Sequence, residues 1–285
     1  MIRSLGVLAT AALLLAPHGA QAQDSPLWRT VDIARQLHDS EPQRIRVQYG
    51  AGRVDVRGSA DPLLYNMHLR YDERRAAPVH RYDAAARSAV LGLETRDGAQ
   101  RFGDRDDSGE LRLVLPTSAP LDLDLQLGGT ESRLELGGLT LRSLRLECGA
   151  TDASVAFSQP NRTQMSDLTI DVGVADLLAV NLADANADQI RVNGGVGVVD
   201  LDFGGRWTRD LTLDTRLTVG KLILRVPADV GIRLDLDRLL AGFDHEGMVK
   251  RDGAWYSTNY DAAPHKLQVR AATFFGQVEL RRTSR

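Results

Sequence analysis

The residues best suited to chemistry are few in this sequence, and they are scattered. Beyond the first twenty-two positions the histidines are His38, His68, His80, His245 and His265. No two stand two or four residues apart, the spacings that set two imidazoles on one face to hold a metal. His245-Glu246 opens like a zinc-protease helix, yet no second histidine follows at the required distance and Gly247 is a poor helix former. These histidines read as surface residues. No Gly-x-Ser-x-Gly elbow presents a nucleophile, and no glycine-rich phosphate loop is present.

Three stretches have oxygen ligands at calcium-like spacing. Asp104-x-Asp106-x-Ser108-Gly109 starts like an EF-hand loop, but Leu115 stands where a bidentate Glu is needed. Asp184-x-Asn186-x-Asp188 has three oxygen side chains in alternation, with Gln189 in place of the turn glycine. Gly194-Gly195-Val196-Gly197 is like a calcium β-roll, but Val199 replaces its Asp. Short Asp and Asn side chains filling tight turns explain all three, so neither metal nor cofactor is expected. Cys148 follows Leu144 and Leu146 at even spacing, which points it inward as a small, inert apolar residue. Phe274-Phe275 is the one candidate for partner docking, because neighbours on an alternating strand cannot both face a core.

Composition narrows the classes. The chain is 43% hydrophobic and 26% charged, which is globular, and its net charge of −3 offers no basic surplus for nucleic acid. A single Cys excludes an internal disulfide framework and a Cys-based zinc cluster. Only three Lys are present, so lysine gives no hint of a catalytic base. Residues 1–22 read as a cleavable secretory leader: Arg3, an apolar run over residues 5–16, Pro17 and Gly19, then Ala20-Gln21-Ala22 as the cleavage site. The run is about a dozen residues, whereas a span needs about twenty, so no transmembrane anchor is expected. No Cys stands at the cleavage site to take a lipid. Export to a periplasm, or secretion to a cell surface, follows.

What would position these residues is a repeat with a period near 22. Alternating runs begin at Leu123, Leu144, Leu168, Ile190, Leu211 and Ile232. Gly128, Gly149, Gly173 and Gly195 fall five residues after the first four starts, and the pattern lapses at Arg216 and Asp237. A second short run opens about a dozen residues on, as in Leu134/Leu136, Val155/Phe157, Leu201/Phe203 and Leu222/Leu224. Each repeat therefore reads strand, glycine corner, strand, polar turn. Period-2 alternation puts apolar side chains in and Asp, Arg, Thr and Glu out. Glycine permits a sharp corner, and only a stack of coils buries the apolar faces. The expected class is all-β, a single-stranded parallel β-helix with about 22 residues per coil. A leucine-rich repeat has a similar period, but it wants one strand per repeat and a recurrent Asn or Cys.

Residues 23–116 form an N-terminal β region in this reading, and residues 117–285 the solenoid with its cap. Ile45-Arg46-Val47-Gln48-Tyr49-Gly50 followed by Val54-Asp55-Val56 has the same grammar, as does the closing Val278-Glu279-Leu280. Residues 63–71, 90–94 and 111–115 look like longer strands, and 99–109 like a polar loop. Residues 24–40 carry Leu27, Val31, Ala34 and Leu37 at near-helical spacing, which allows a short helix. Residues 242–265 hold Phe243, Trp255, Tyr256 and Tyr260 around Arg251-Asp252-Gly253, an aromatic hairpin suited to closing an open end.

Several motifs in order carry a family resemblance. They are Leu64-Tyr65-Asn66, Pro78-Val79-x-x-Tyr82, the Leu-rich stretch over 111–125, Gly149-Ala150, Val226-Pro227-Ala228-x-Val230-Gly231-Ile232 and Gly276-x-Val278-x-Leu280. The chain from about Ile45 to Leu280 resembles the toast-rack family of bacterial cell-envelope proteins. The resemblance implies a right-handed β-solenoid in the envelope. Some members are membrane-tethered regulators of the response to cell-wall antibiotics, and others are adhesin candidates. This sequence lacks the regulators' transmembrane helices, and the family supplies no catalytic residues to carry over.

The expected function is that of an exported, non-enzymatic envelope protein, a scaffold or adhesin-like binding module. Its partner would be another envelope protein or a polysaccharide. An envelope-stress regulator is the first alternative. A polysaccharide-active β-helix enzyme is the second; outward Asp and Arg of mixed sign, as at Asp122, Asp124, Arg142 and Arg145, read instead as a solvated face.

Overall fold

A computed structural model describes residues 26–95, 109–244 and 246–284. Among these residues there is no α-helix, only strands joined by turns and one 3-10 turn at Leu182–Ala185. The leader, together with Asp104, Asp106, Ser108 and His245, lies outside the described residues.

Eight long strands run parallel in one sheet. They are β2 (Gln43–Ser59), β7 (Pro120–Glu135), β8 (Thr140–Ala156), β9 (Asp167–Val180), β10 (Gln189–Asp202), β11 (Leu211–Pro227), β15 (Lys266–Thr283) and β12 (Gly231–Asp244), in that spatial order. Each long strand is two arms joined at a corner. In β7 the buried residues are Leu121, Leu123, Leu125 and Leu127 before the corner, then Thr130, Ser132 and Leu134 after it. The alternation changes phase at Gly128-Gly129, and that change keeps both arms facing one interior. Across coils Ile45 pairs with Leu123, Leu123 with Leu144, Leu144 with Leu168, and Leu168 with Ile190. Their side chains share one continuous core with Leu134, Phe157 and Phe203. Full burial of each such Leu contributes about 2 kcal/mol.

The N-terminal strands continue both arms. The first arm of β2 pairs with β5 (Ser88–Thr95), itself antiparallel to β4 (Ala76–Asp83). The second arm pairs with β6 (Glu110–Pro116), which is followed outward by β3 (Leu63–Asp72) and β1 (Trp28–Gln36), both antiparallel. The near-helical spacing in residues 24–40 is thus overruled. Val31 and Ile33 alternate along β1 and pack on the core from a sheet edge, so period 2 decides there.

Two further expectations change at the far end. Ile190 pairs with Leu213, not with Leu211. A slip of two residues leaves every side chain on its own face, so the sequence pattern does not reveal it. The coil beginning at Ile232 also does not stack on β11: β15 lies between them, pairing with both. The corner differs between the two rungs. Gly276 is seated against Gly220 with φ 132°, where a Cβ would meet the Gly220 carbonyl at 1.7 Å. At the matching place β12 carries Ala241. The aromatic hairpin, β13 (Met248–Arg251) and β14 (Ala254–Ser257), does sit at the end of the stack. It pairs with β12 at Arg233 and Leu234, and Trp255 meets Phe243 edge-on at 5.5 Å.

Candidate docking surface at the corner

The corner is built from two glycine columns. Gly50, Gly128, Gly149, Gly173 and Gly195 stack one above another, and beyond Gly195 the same place is taken by Thr218, Phe274 and Leu239. Two residues further along, Gly197, Gly220 and Gly276 form a second column, each with φ above 130°. A Cβ on Gly128 would lie 2.0 Å from the carbonyl oxygen of Gly50, and one on Gly197 would lie 1.9 Å from that of Ala175. The turn is therefore made in the first column over β7–β9 and in the second over β11 and β15, while β2 (Gly50, Gly52) and β10 (Gly195, Gly197) carry a glycine at both places.

Just before the glycines runs an outward polar row: Gln48, Gln126, Glu147, Asp171 and Asn193. Gln126, Glu147, Asp171 and Asn193 line a shallow trough of about 700 Å³ together with Gly128, Gly149 and Gly173. They satisfy one another. Gln48 donates to Gln126 at 3.1 Å, Asn193 donates to Asp171 at 2.7 Å, and Arg145 holds Glu147 at 2.5 Å. Nothing in this row is poised as a nucleophile and base, and it reads as a solvated face. Cys148 lies inward beside it, as expected; burial pushes its thiol up to about 12, so it stays protonated.

Just after the first column runs an outward row of another kind: Ala150, Val174, Val196, Val219, Phe275 and Leu240. Side chains grow from Ala to Phe and Leu along it. At its upper end Phe274 and Phe275 are 57% and 46% exposed, and Leu239 and Leu240 are 67% and 68% exposed. Both phenylalanines face solvent because they occupy the corner itself, where the alternation changes phase. The sequence singled them out as a pair but missed the valines and leucines beside them. An apolar residue directly after the corner glycine, as in Gly173-Val174 and Gly195-Val196, was the available signal. Leu239 and Leu240 carried none, because their place depends on β15 lying beneath β12.

The calcium-like residues are not brought together. Asp184 accepts from the Arg206 backbone at 3.0 Å, Asn186 donates to the Thr163 carbonyl at 3.0 Å, and Asp188 accepts from Arg209 at 2.9 Å. Each ties a turn to the adjacent coil. Gly194, Gly195 and Gly197 serve the corner. His68 bonds Asp32 at 2.6 Å, His80 bonds the Tyr65 hydroxyl, and His265 lies near the Trp207 ring. Among the described residues no three His, Cys, Asp or Glu side chains are grouped to hold a metal.

This architecture has a counterpart among known families. The model described as the N-terminal domain of toast_rack, DUF2154, matches residues 24–178. The chain belongs to the toast-rack family. The matched region runs from the N-terminal strands into β9, so within this toast-rack chain it includes Gly50, Gly128, Gly149 and Gly173 of the first column but not Phe274 or Phe275. No curated protein matches the chain. Among solved structures, a "putative cell adhesion protein" from Clostridium sporogenes is similar at 14% identity and TM-score 0.46, covering 90% of this chain and 100% of its own. A "putative adhesin" from Bacteroides fragilis is similar at 9% identity and TM-score 0.39, covering 88% and 97%. A "putative lipid binding protein" from Parabacteroides distasonis is similar at 8% identity and TM-score 0.30, covering 89% and 96%. No helix of the described residues is long and apolar enough to cross a membrane.

Proposed function

We propose that this toast-rack protein is an exported, non-enzymatic binding module of the bacterial envelope, adhesin-like, which meets its partner through the upper corner at Phe274 and Phe275. One observation carries the reading: seven apolar side chains, Val174, Val196, Val219, Phe275, Leu240, Phe274 and Leu239, stand exposed in two adjacent columns. Large apolar residues gathered this way on a rigid sheet mark an interaction surface, whereas the polar rows are already satisfied internally. In this proposal residues 1–22 are the cleaved leader and the mature chain works in the periplasm or on the cell surface. Residues 23–116 form the N-terminal β region, and 117–285 wind as a right-handed solenoid of about 22 residues per coil with its hairpin cap.

The test is capture of a companion from the native envelope by the tagged protein. The double variant Phe274→Ser/Phe275→Ser should fold normally and lose that companion. Undiminished capture by the variant overturns the docking surface, and release of sugar fragments from envelope polysaccharide overturns the non-enzymatic reading.

A further inference from the structure

We propose that what the upper corner meets is an anionic lipid surface; this rests on the reading that Phe274 and Phe275 form the docking surface, and it names the partner. Phe274, Phe275, Leu239 and Leu240 are the four large apolar side chains at the top of the corner, in neighbouring positions of β15 and β12. None of the four carries a hydrogen-bonding group that would need a directional partner. A fluid apolar phase accepts such side chains without shape complementarity, and aromatic and leucine side chains seat well at the acyl boundary.

Charge selects the kind of lipid. Residues 211–285 contain 12 Lys and Arg against nine Asp and Glu, while residues 1–210 contain 23 against 29. All three lysines, Lys221, Lys250 and Lys266, lie in the cationic portion. Around the apolar cluster, Arg216 stands in the outward row just before the corner and Arg238 immediately precedes Leu239. Both are exposed. Lys221 stands two residues beyond Val219, held to Glu279 at 2.5 Å. Asp237 is the one acid in the same outward row as Arg216 near the cluster. Apolar residues flanked by Arg216, Arg238 and the Glu279-paired Lys221, in the portion of the chain where basic residues outnumber acidic ones, complement a surface of anionic headgroups over an acyl interior, and orient the stack with its N-terminal end away from it.

The experiment is co-sedimentation of the purified chain with vesicles of phosphatidylcholine, alone or mixed with phosphatidylglycerol. Binding is expected to the mixed vesicles, to fall in about 0.5 M NaCl, and to be weak to phosphatidylcholine alone. Phe274→Ser/Phe275→Ser and Arg216→Glu/Arg238→Glu should each lower the partition coefficient by about tenfold or more, with unfolding midpoints unchanged. Absence of binding to the mixed vesicles, or binding that neither double variant lowers, overturns the proposal. If the vesicles fail while the phenylalanine variant still loses its envelope companion, the lipid partner falls and the docking surface stands. If that variant also keeps its companion, both fall.

Discussion

Gly276 and Gly220 occupy one place in adjacent coils, so close that a methyl group on Gly276 would overlap the Gly220 carbonyl oxygen at 1.7 Å. Both residues have φ above 130°, a region that side chains rarely enter. Gly276→Ala should therefore lower stability by more than about 2 kcal/mol, from backbone strain and forced separation of β15 and β11. Gly50 heads the lower column with nothing within 4 Å of its would-be Cβ. Gly50→Ala should change stability by less than about 1 kcal/mol. Urea unfolding of both variants reads the contrast, and equal midpoints would refute the close-approach account.

Asn161 is the buried staple of a turn. Its side chain accepts from the Leu141 amide and donates to the Leu141 and Thr163 carbonyls, each at 2.8 Å. Removing it strands the buried Leu141 amide and carbonyl, while the Thr163 carbonyl keeps its bond from Asn186. Asn161→Ala should cost about 2–3 kcal/mol by chemical denaturation, while Ser158→Ala, at an exposed turn position, should cost under about 0.5 kcal/mol.

Glu279 gives a pH signature. Hydrogen bonds from Arg281 at 2.6 Å and the Lys221 ammonium at 2.5 Å hold its carboxyl down to about 2, below its ordinary 4.5. A carboxyl depressed on folding adds stability that is complete above the unfolded value and is lost as pH falls through the folded one. The Glu279 contribution should thus disappear between about pH 4.5 and pH 2. Comparing the wild-type chain with Glu279→Gln across that range, their difference in unfolding midpoint should shrink toward acid. A constant difference would count against the pairing.

Cys148 reports on the integrity of the corner. Burial holds its thiol protonated near neutral pH, and the thiolate is the reactive form. Iodoacetamide at pH 8 should leave it unmodified in the folded protein and modify it fully in denaturant, as mass spectrometry would show. Rapid labelling of the native chain would mean that the coil around Leu127 and Val172 opens locally.

Legibility in the sequence followed the reach of each physical signal. The coils over β7–β10 were readable because period-2 alternation and a glycine at one fixed offset both act within a single repeat. Cys148 and the hairpin around Trp255 were readable for the same local reason. The slip at Leu211 was hidden because a shift of two preserves the inward face. The order of β15 and β12 was hidden because it is set by pairings between positions more than fifty residues apart, such as Gly220 with Gly276. The docking candidate was half visible: Phe274 and Phe275 adjoin in sequence, whereas Val196, Val219 and Leu240 join them only through the stack. Residues 24–40 misled because a short edge strand with few apolar positions fits either period.

The place of β15 has a consequence for the chain's history as a molecule being made. β15 is made after both β11 and β12, yet it is wedged between them. Until it arrives, β12 lacks the strand it pairs with along its whole length, and the hairpin hangs on β12 alone. A polypeptide ending before Lys266 would thus keep a well-formed lower body and trail an unmoored coil. Residues 266–283 act as the keystone, and assembly of this end has to wait until they have been made.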